Sequence, residues 1–163
     1  MKEKTESEAL HKMAAYCSTR ECCAHDVRKK ISMMGLDVDA IERIVDRLVK
    51  ERFLDDSRFA NAFVKDKLKF NKWGRTKIGY ELRNRGIEAS VISSAIQSID
   101  EDEYMSVLRN LLKAKKRTLN GKDERAAFNS VLRFAAGRGF ESQEIFPCLK
   151  KIFSVDVDED FVE

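Results

Sequence analysis

The chain has 163 residues, with 31 Lys and Arg against 28 Asp and Glu for a formal net charge of +3; it is densely charged yet nearly balanced, unlike a histone-like polycation. Hydrophobic residues at 43 % suffice for a packed core and charged residues at 36 % give an unusually ionic surface, while one Pro and seven Gly fall short of the roughly 8 and 11 of average usage, which excludes a turn-rich all-β fold. No stretch approaches the ~18 apolar residues of a membrane span, and MKEKTESEALHK carries no apolar signal core, so the expectation is a soluble, unexported, cytoplasmic protein.

Hydrophobic periodicity and capping residues predict nine helices and no strand. Thr5 with Glu8 opens the first, 6–17, and Ser18 with Glu21 opens the second, 20–34. Asp37 caps 38–53 and Asp55 caps 56–72. Helices 75–85 and 89–99 follow, the latter behind Glu88; Asp100 with Glu103 opens 101–118, and 123–137 and 142–153 complete the set, the last behind Glu141. Pro147 lies inside that last helix and removes a backbone donor, so the helix either starts late or has an irregular first turn. The final ten residues, SVDVDEDFVE, hold five acids and no base and read as a frayed acidic tail, 154–163.

Three stretches share one register: Gly35-Leu36-Asp37, Gly86-Ile87-Glu88 and Gly139-Phe140-Glu141. Six residues beyond each Gly stand Ile41, Ile92 and Ile145; ten beyond, Val45, Ile96 and Leu149; thirteen beyond, Leu48, Ile99 and Ile152. A Gly in the left-handed conformation ends one helix, the acid two residues later caps the next, and the residue between staples onto the Ile. The expected architecture is therefore all-α, with tandem three-helix repeats at 5–54, 55–99 and 100–153. Units of ~45–55 residues lie near the lower limit for an independent core, so they should lean on one another in an elongated, curved, right-handed body.

The segment Phe53-Leu54-Asp55-Asp56-Ser57-Arg58-Phe59-Ala60 resembles the signature of the RecX family, regulators of the RecA recombinase. Trp73-Gly74-Arg75-Thr76-Lys77-Ile78, Glu81-Leu82 and Arg85-Gly86-Ile87 are similar to the family's second motif. Ser18-Thr19-Arg20-Glu21 and Val27-Arg28-Lys29-Lys30-Ile31 are similar to its N-terminal segment, with Cys22 and Cys23 where polar or aliphatic residues are usual. The resemblance assigns structural roles to Leu54, Asp55, Asp56, Phe59, Ala60, Gly74, Leu82, Gly86 and Ile87. It implies a monomeric protein without cofactor that binds the RecA–DNA filament and limits its extension and its recombinase, ATPase and coprotease activities, with single- or double-stranded DNA as an accessory partner.

The residues themselves point to binding. From Lys65 to Arg85, eight cations (Lys65, Lys67, Lys69, Lys72, Arg75, Lys77, Arg83, Arg85) stand against Asp66 and Glu81 alone, a local net charge of +6, and a field of that sign favours phosphates or an acidic protein surface. On a regular helix Lys65, Lys69 and Lys72 share one face and Phe59, Phe63 and Phe70 the opposite, core-facing one. Arg109, Lys113 and Lys116 repeat the pattern opposite Tyr104, Leu108 and Leu111. Trp73 and Tyr80 either stack on bases or, for Trp73, pack at a helix junction.

Catalytic readings find no support: the chain has two His and no nucleophile elbow, zincin, Walker or Rossmann motif. Asp55 and Asp56 sit at a helix start, where carboxylates satisfy free amides. Cys17, Cys22, Cys23 and Cys148 form no disulfide framework, and together with His11 and His25 they match no closed zinc site. Two rival readings predict different binding. A helix-turn-helix regulator would read duplex DNA without a recombinase, and a helical adaptor would use neither DNA nor filament.

Overall fold

Nine α-helices and no strand form among the described residues, 5–153, of the computed structural model. They are α1 (Glu6–Ser18), α2 (Ala24–Ser32), α3 (Val38–Lys50), α4 (Asp56–Asp66), α5 (Arg75–Asn84), α6 (Ala89–Gln97), α7 (Glu101–Arg117), α8 (Glu124–Gly137) and α9 (Ser142–Ile152). The acidic segment 154–163 lies outside the described residues.

Most helix starts follow from local capping. Thr5 accepts the Glu8 amide at 3.2 Å, Asp37 that of Ala40 at 2.8 Å, Asp55 that of Arg58 at 3.0 Å and Asp100 that of Glu103 at 3.0 Å. Asp123 does the same for Ala126 at 3.4 Å, so it lies just outside α8 rather than at its first residue.

The second helix departs from expectation. It begins at Ala24, not at 20, because Ser18 and Thr19 close α1 instead of opening α2: their hydroxyls donate back to the carbonyls of Ala15 at 2.7 Å and Tyr16 at 3.0 Å. Glu21 is taken by Arg58, whose Nε donates to it at 2.9 Å. The first amide of α2 is capped across the fold by Asp56, whose carboxylate accepts from the Ala24 N–H at 3.0 Å.

The fourth helix departs as well. Beyond Asp66 it widens into a π-turn over Lys67–Asn71 and stops at Lys72, which takes the left-handed conformation with φ 57°. A π-turn inserts a residue into the helical register, so Leu68 takes the buried place at 2 % exposure and Phe70 swings out to 70 %. Phe59 and Phe63 keep the core stripe, with ring centroids 5.6 Å apart; Phe70 does not belong to it.

Pro147 breaks nothing. The ninth helix runs through it from Ser142, with neither a late start nor an interruption. Pro147 and Gln143, whose carbonyl the missing N–H would have served, are both exposed, so the lost bond falls on the solvent side of the helix and not in the core.

The three Gly turns share the expected backbone, with φ of 85°, 68° and 94° at Gly35, Gly86 and Gly139. The Ile at the shared sixth position is buried in every case, whereas Ile96, Ile99 and Ile152 farther along the register are half-buried. By packing, the described residues fall into two units, one drawn from those up to Phe63 together with Leu82–Ala95 and the other from Val64–Glu81 together with those from Ile96 onward. The division runs through α4, α5 and α6, because packing follows contacts between helices while the repeats follow the turn register. In the first unit Met13, Val27, Ile31, Ile44 and Leu48 form the centre. In the second, Tyr104, Leu108, Leu112, Phe128, Ile145 and Leu149 are buried between α7, α8 and α9.

Candidate partner-binding surface

The residues that resemble the family signature prove to be joints of the fold. Leu54, Ala60, Leu82 and Ile87 are buried at 5 % exposure or less; Phe59 is half-buried against Phe63, Asp55 caps its own helix, Asp56 caps α2, and Gly86 ends α5. Gly74 marks a backbone crossing in the second unit. Its N–H donates to the Arg138 carbonyl at 2.8 Å and the Thr76 N–H to that of Gly139 at 3.0 Å. A Cβ at Gly74 would collide with the Gly139–Phe140 peptide, and one at Gly139 with Lys77.

Arg75 is clamped at the same crossing. Its side chain is 20 % exposed, donates to Glu141 at 2.9 Å and to Glu101 at 2.5 Å, and lies 3.8 Å above the Tyr104 ring. The Tyr104 hydroxyl accepts from the Arg75 backbone N–H at 3.1 Å and donates to Glu141. Burial, followed by that donation to a carboxylate, pushes the Tyr104 hydroxyl well above the ordinary phenol range. Glu141 therefore makes no side-chain capping bond to α9; Arg75 and Tyr104 hold its carboxylate instead. Arg75 is occupied within the fold, and a phosphate would have to displace two carboxylates to reach it.

The remaining predicted cations are placed in different ways. Lys65 and Lys69 are exposed near the end of α4 and in the π-turn. Lys72 has left the helical face and folds its ammonium back onto the Lys69 carbonyl at 2.5 Å. Lys77 lies 4.6 Å and Lys67 5.0 Å from the Trp73 ring, so this half-buried indole is bracketed by ammonium groups. Arg83, in the first unit, is exposed on α5.

On α7, Arg109 and Lys113 are exposed, but Lys116 is half-buried: it donates to the Ile152 carbonyl at 2.9 Å and covers the Phe153 ring at 4.5 Å. That bond satisfies an orphan carbonyl at the end of α9. Lys115, in the same basic stretch of sequence as Lys113 and Lys116, and Arg138, which lies outside that stretch, flank Phe134 at 4.9 and 5.1 Å, with Arg138 also donating to the Asn71 carbonyl at 3.0 Å. Lys115 lies on α7 and Arg138 is the residue that follows α8, so no single periodicity could link them.

A groove of about 500 Å³ opens beside the π-turn, lined by Lys65, Asp66, Leu68, Lys69 and Phe70 and by Ser98, Ile99, Asp100 and Glu103. Among the described residues, no group of three or more His, Cys, Asp or Glu is placed to hold a metal ion, and no helix is long and apolar enough to cross a membrane.

Comparison with known proteins places these features in context. The family description "RecX, second three-helix domain" matches residues 55–96. Proteins named regulatory protein RecX are similar over most of the chain. The one from Clostridium tetani is 30 % identical over 132 residues, covering 80 % of this chain and 60 % of the relative; that from Clostridium botulinum Eklund 17B is 36 % identical over 135 residues, covering 80 % and 62 %. The chain thus spans about three fifths of the length of these clostridial relatives. The namesake from Prosthecochloris aestuarii, 28 % identical over 156 residues, matches across 94 % of this chain and 99 % of its own. The crystal structure of RecX from Lactobacillus salivarius shares the fold with a TM-score of 0.80 at 16 % identity, over 92 % of this chain and 97 % of that one. A second crystal structure, of a regulatory protein RecX, gives 0.79 at 21 % identity, over 91 % and 71 %.

Proposed function

Since this chain belongs to the RecX family, we propose that it binds the RecA–DNA filament and restrains its extension and its recombinase, ATPase and coprotease activities. It acts by binding and not by catalysis. The observation that carries the reading is the co-occurrence of the family's motif residues as joints of the fold with a +6 segment, Lys65 to Arg85, in the same stretch. Lys65, Lys69, Lys72 and Lys77 of the second unit are its contact residues, with Arg109 and Lys113 of the same unit as a second basic surface and Arg83 as a separate contact on the first unit; Arg75 and Lys116 serve the fold.

Modest contacts repeated on one extended partner reinforce one another through high effective concentration, so a small protein suffices as a brake. The test is RecA strand exchange and ATP turnover on single-stranded DNA, with and without this protein at a substoichiometric ratio. Inhibition that vanishes when RecA is omitted from the turnover assay supports the reading. Unchanged exchange and turnover at ratios up to equimolar refute it.

A further inference from the structure

The groove beside the π-turn has a chemistry of its own. Its apolar part consists of Leu68, buried at 2 % exposure, the half-buried Ile99, and Phe70 at 70 % exposure. Its volume of about 500 Å³ falls within the usual range for sites that enclose a ligand group. Lys65 and Lys69, from the end of α4 and the π-turn, and Asp100 and Glu103, from the start of α7, line it, and Asp66 adds a third acid.

Two observations decide what this groove accepts. First, three carboxylates against two ammonium groups make it a poor seat for a phosphodiester, which the acids would repel at close range. Second, a regular continuation of α4 would carry Phe70 on the Phe59 and Phe63 stripe; the π-turn buries Leu68 instead and leaves Phe70 at the groove. The Lys69 ammonium lies 5.3 Å from the Phe70 ring centroid. An aromatic anchor between opposite charges is the composition of a protein interface, with an apolar centre and a charged rim that sets orientation.

We infer that this groove docks a protein segment, taking an apolar side chain against Phe70, Leu68 and Ile99, with an acidic neighbour toward Lys65 and Lys69 and a basic neighbour toward Asp100 and Glu103. The inference rests on the filament reading and deepens it, because it assigns this part of the basic segment to the protein component of the filament and not to its nucleic acid.

The experiment compares the parent with Phe70→Ala and Phe70→Leu, measuring affinity for RecA filaments on single-stranded DNA and, separately, for the same DNA alone, each across a salt titration. Phe70 is exposed, so neither change disturbs the core. Phe70→Ala should weaken filament binding about tenfold or more, as loss of a central aromatic anchor does, and Phe70→Leu should recover most of it. Affinity for DNA alone should stay within about twofold, and the salt dependence of filament binding should be unaltered because no phosphate contact is lost. Equal loss on DNA alone would make Phe70 a base-stacking residue and overturn the inference. So would undiminished filament binding by Phe70→Ala while the parent binds, which leaves the filament reading standing. Absence of filament binding by the parent would overturn both.

Discussion

Replacing Glu141 by Asp separates two physical roles by the sign of its effect. If Glu141 acted only as the N-cap of α9, Asp, a better capping residue, would stabilise the protein by a few tenths to about 1 kcal/mol. In the structure Glu141 caps nothing with its side chain and instead joins Arg75 and the Tyr104 hydroxyl. Asp withdraws the carboxylate by about one C–C bond, ~1.5 Å, which breaks contacts set at 2.9 Å to Arg75. Charge-assisted hydrogen bonds contribute ~1.5–3 kcal/mol each. Because the Arg75 and Glu141 side chains retain 20 % and 23 % exposure, water recovers part of that loss. We expect Glu141→Asp to cost about 1–3 kcal/mol and Glu141→Ala about 2–4 kcal/mol, the latter equivalent to roughly 4–16 °C in Tm for a chain of this size. Tyr104→Phe should cost about 1–3 kcal/mol, since it also strands the Arg75 backbone N–H, and a double-mutant cycle between positions 104 and 141 should show coupling of about 0.5 kcal/mol or more. Urea titration followed by circular dichroism reads all of these. A Glu141→Asp protein as stable as the parent, or more so, would refute the clamp.

Replacing Lys65, Lys69 and Lys72 together by Gln should leave stability within about 0.5 kcal/mol per site, while filament binding weakens and its salt dependence becomes shallower because fewer screened charge pairs remain; a triple variant that binds and inhibits like the parent across a salt titration would remove these residues from the contact surface. All four cysteines are buried and free, and burial pushes the Cys22 and Cys23 thiols up to about 12, so alkylation of the native protein at neutral pH should be slow and should accelerate when urea unfolds it; rapid native labelling of Cys22 or Cys23 would contradict their placement. Hydrogen bonds from Arg43 and Arg28 hold the Glu6 and Glu42 carboxyls below their ordinary value of 4.5. The folded state therefore binds fewer protons than the unfolded one in that range, and the stabilisation is present above 4.5 and is lost as pH falls through the lowered folded-state values. A double variant with Gln at positions 28 and 43 should show a shallower acid-side loss than the parent, and identical acid limbs would show that the pairs contribute nothing.

What the chain determined alone was everything carried within a helical turn or two of sequence. Thr5, Asp37, Asp55 and Asp100 cap the helices they precede because the amides they serve lie three residues away, and the three Gly turns recur because a left-handed residue ends a helix whatever surrounds it. The motif segment and the density of cations around it were equally legible, which located the candidate surface. Tertiary structure decided where a side chain had two partners to choose between. Glu21 and Glu141 gave up local capping for Arg58 and Arg75, Asp56 capped a helix 32 residues upstream, and Lys116 closed α9 rather than joining a basic face. It also decided the register after Asp66. Periodicity assumes 3.6 residues per turn, and one π-turn rotated Phe70 from the core stripe into a groove. Hydrogen bonds to residues distant in sequence are set by how helices pack, which pairs residues that no window along the chain contains together.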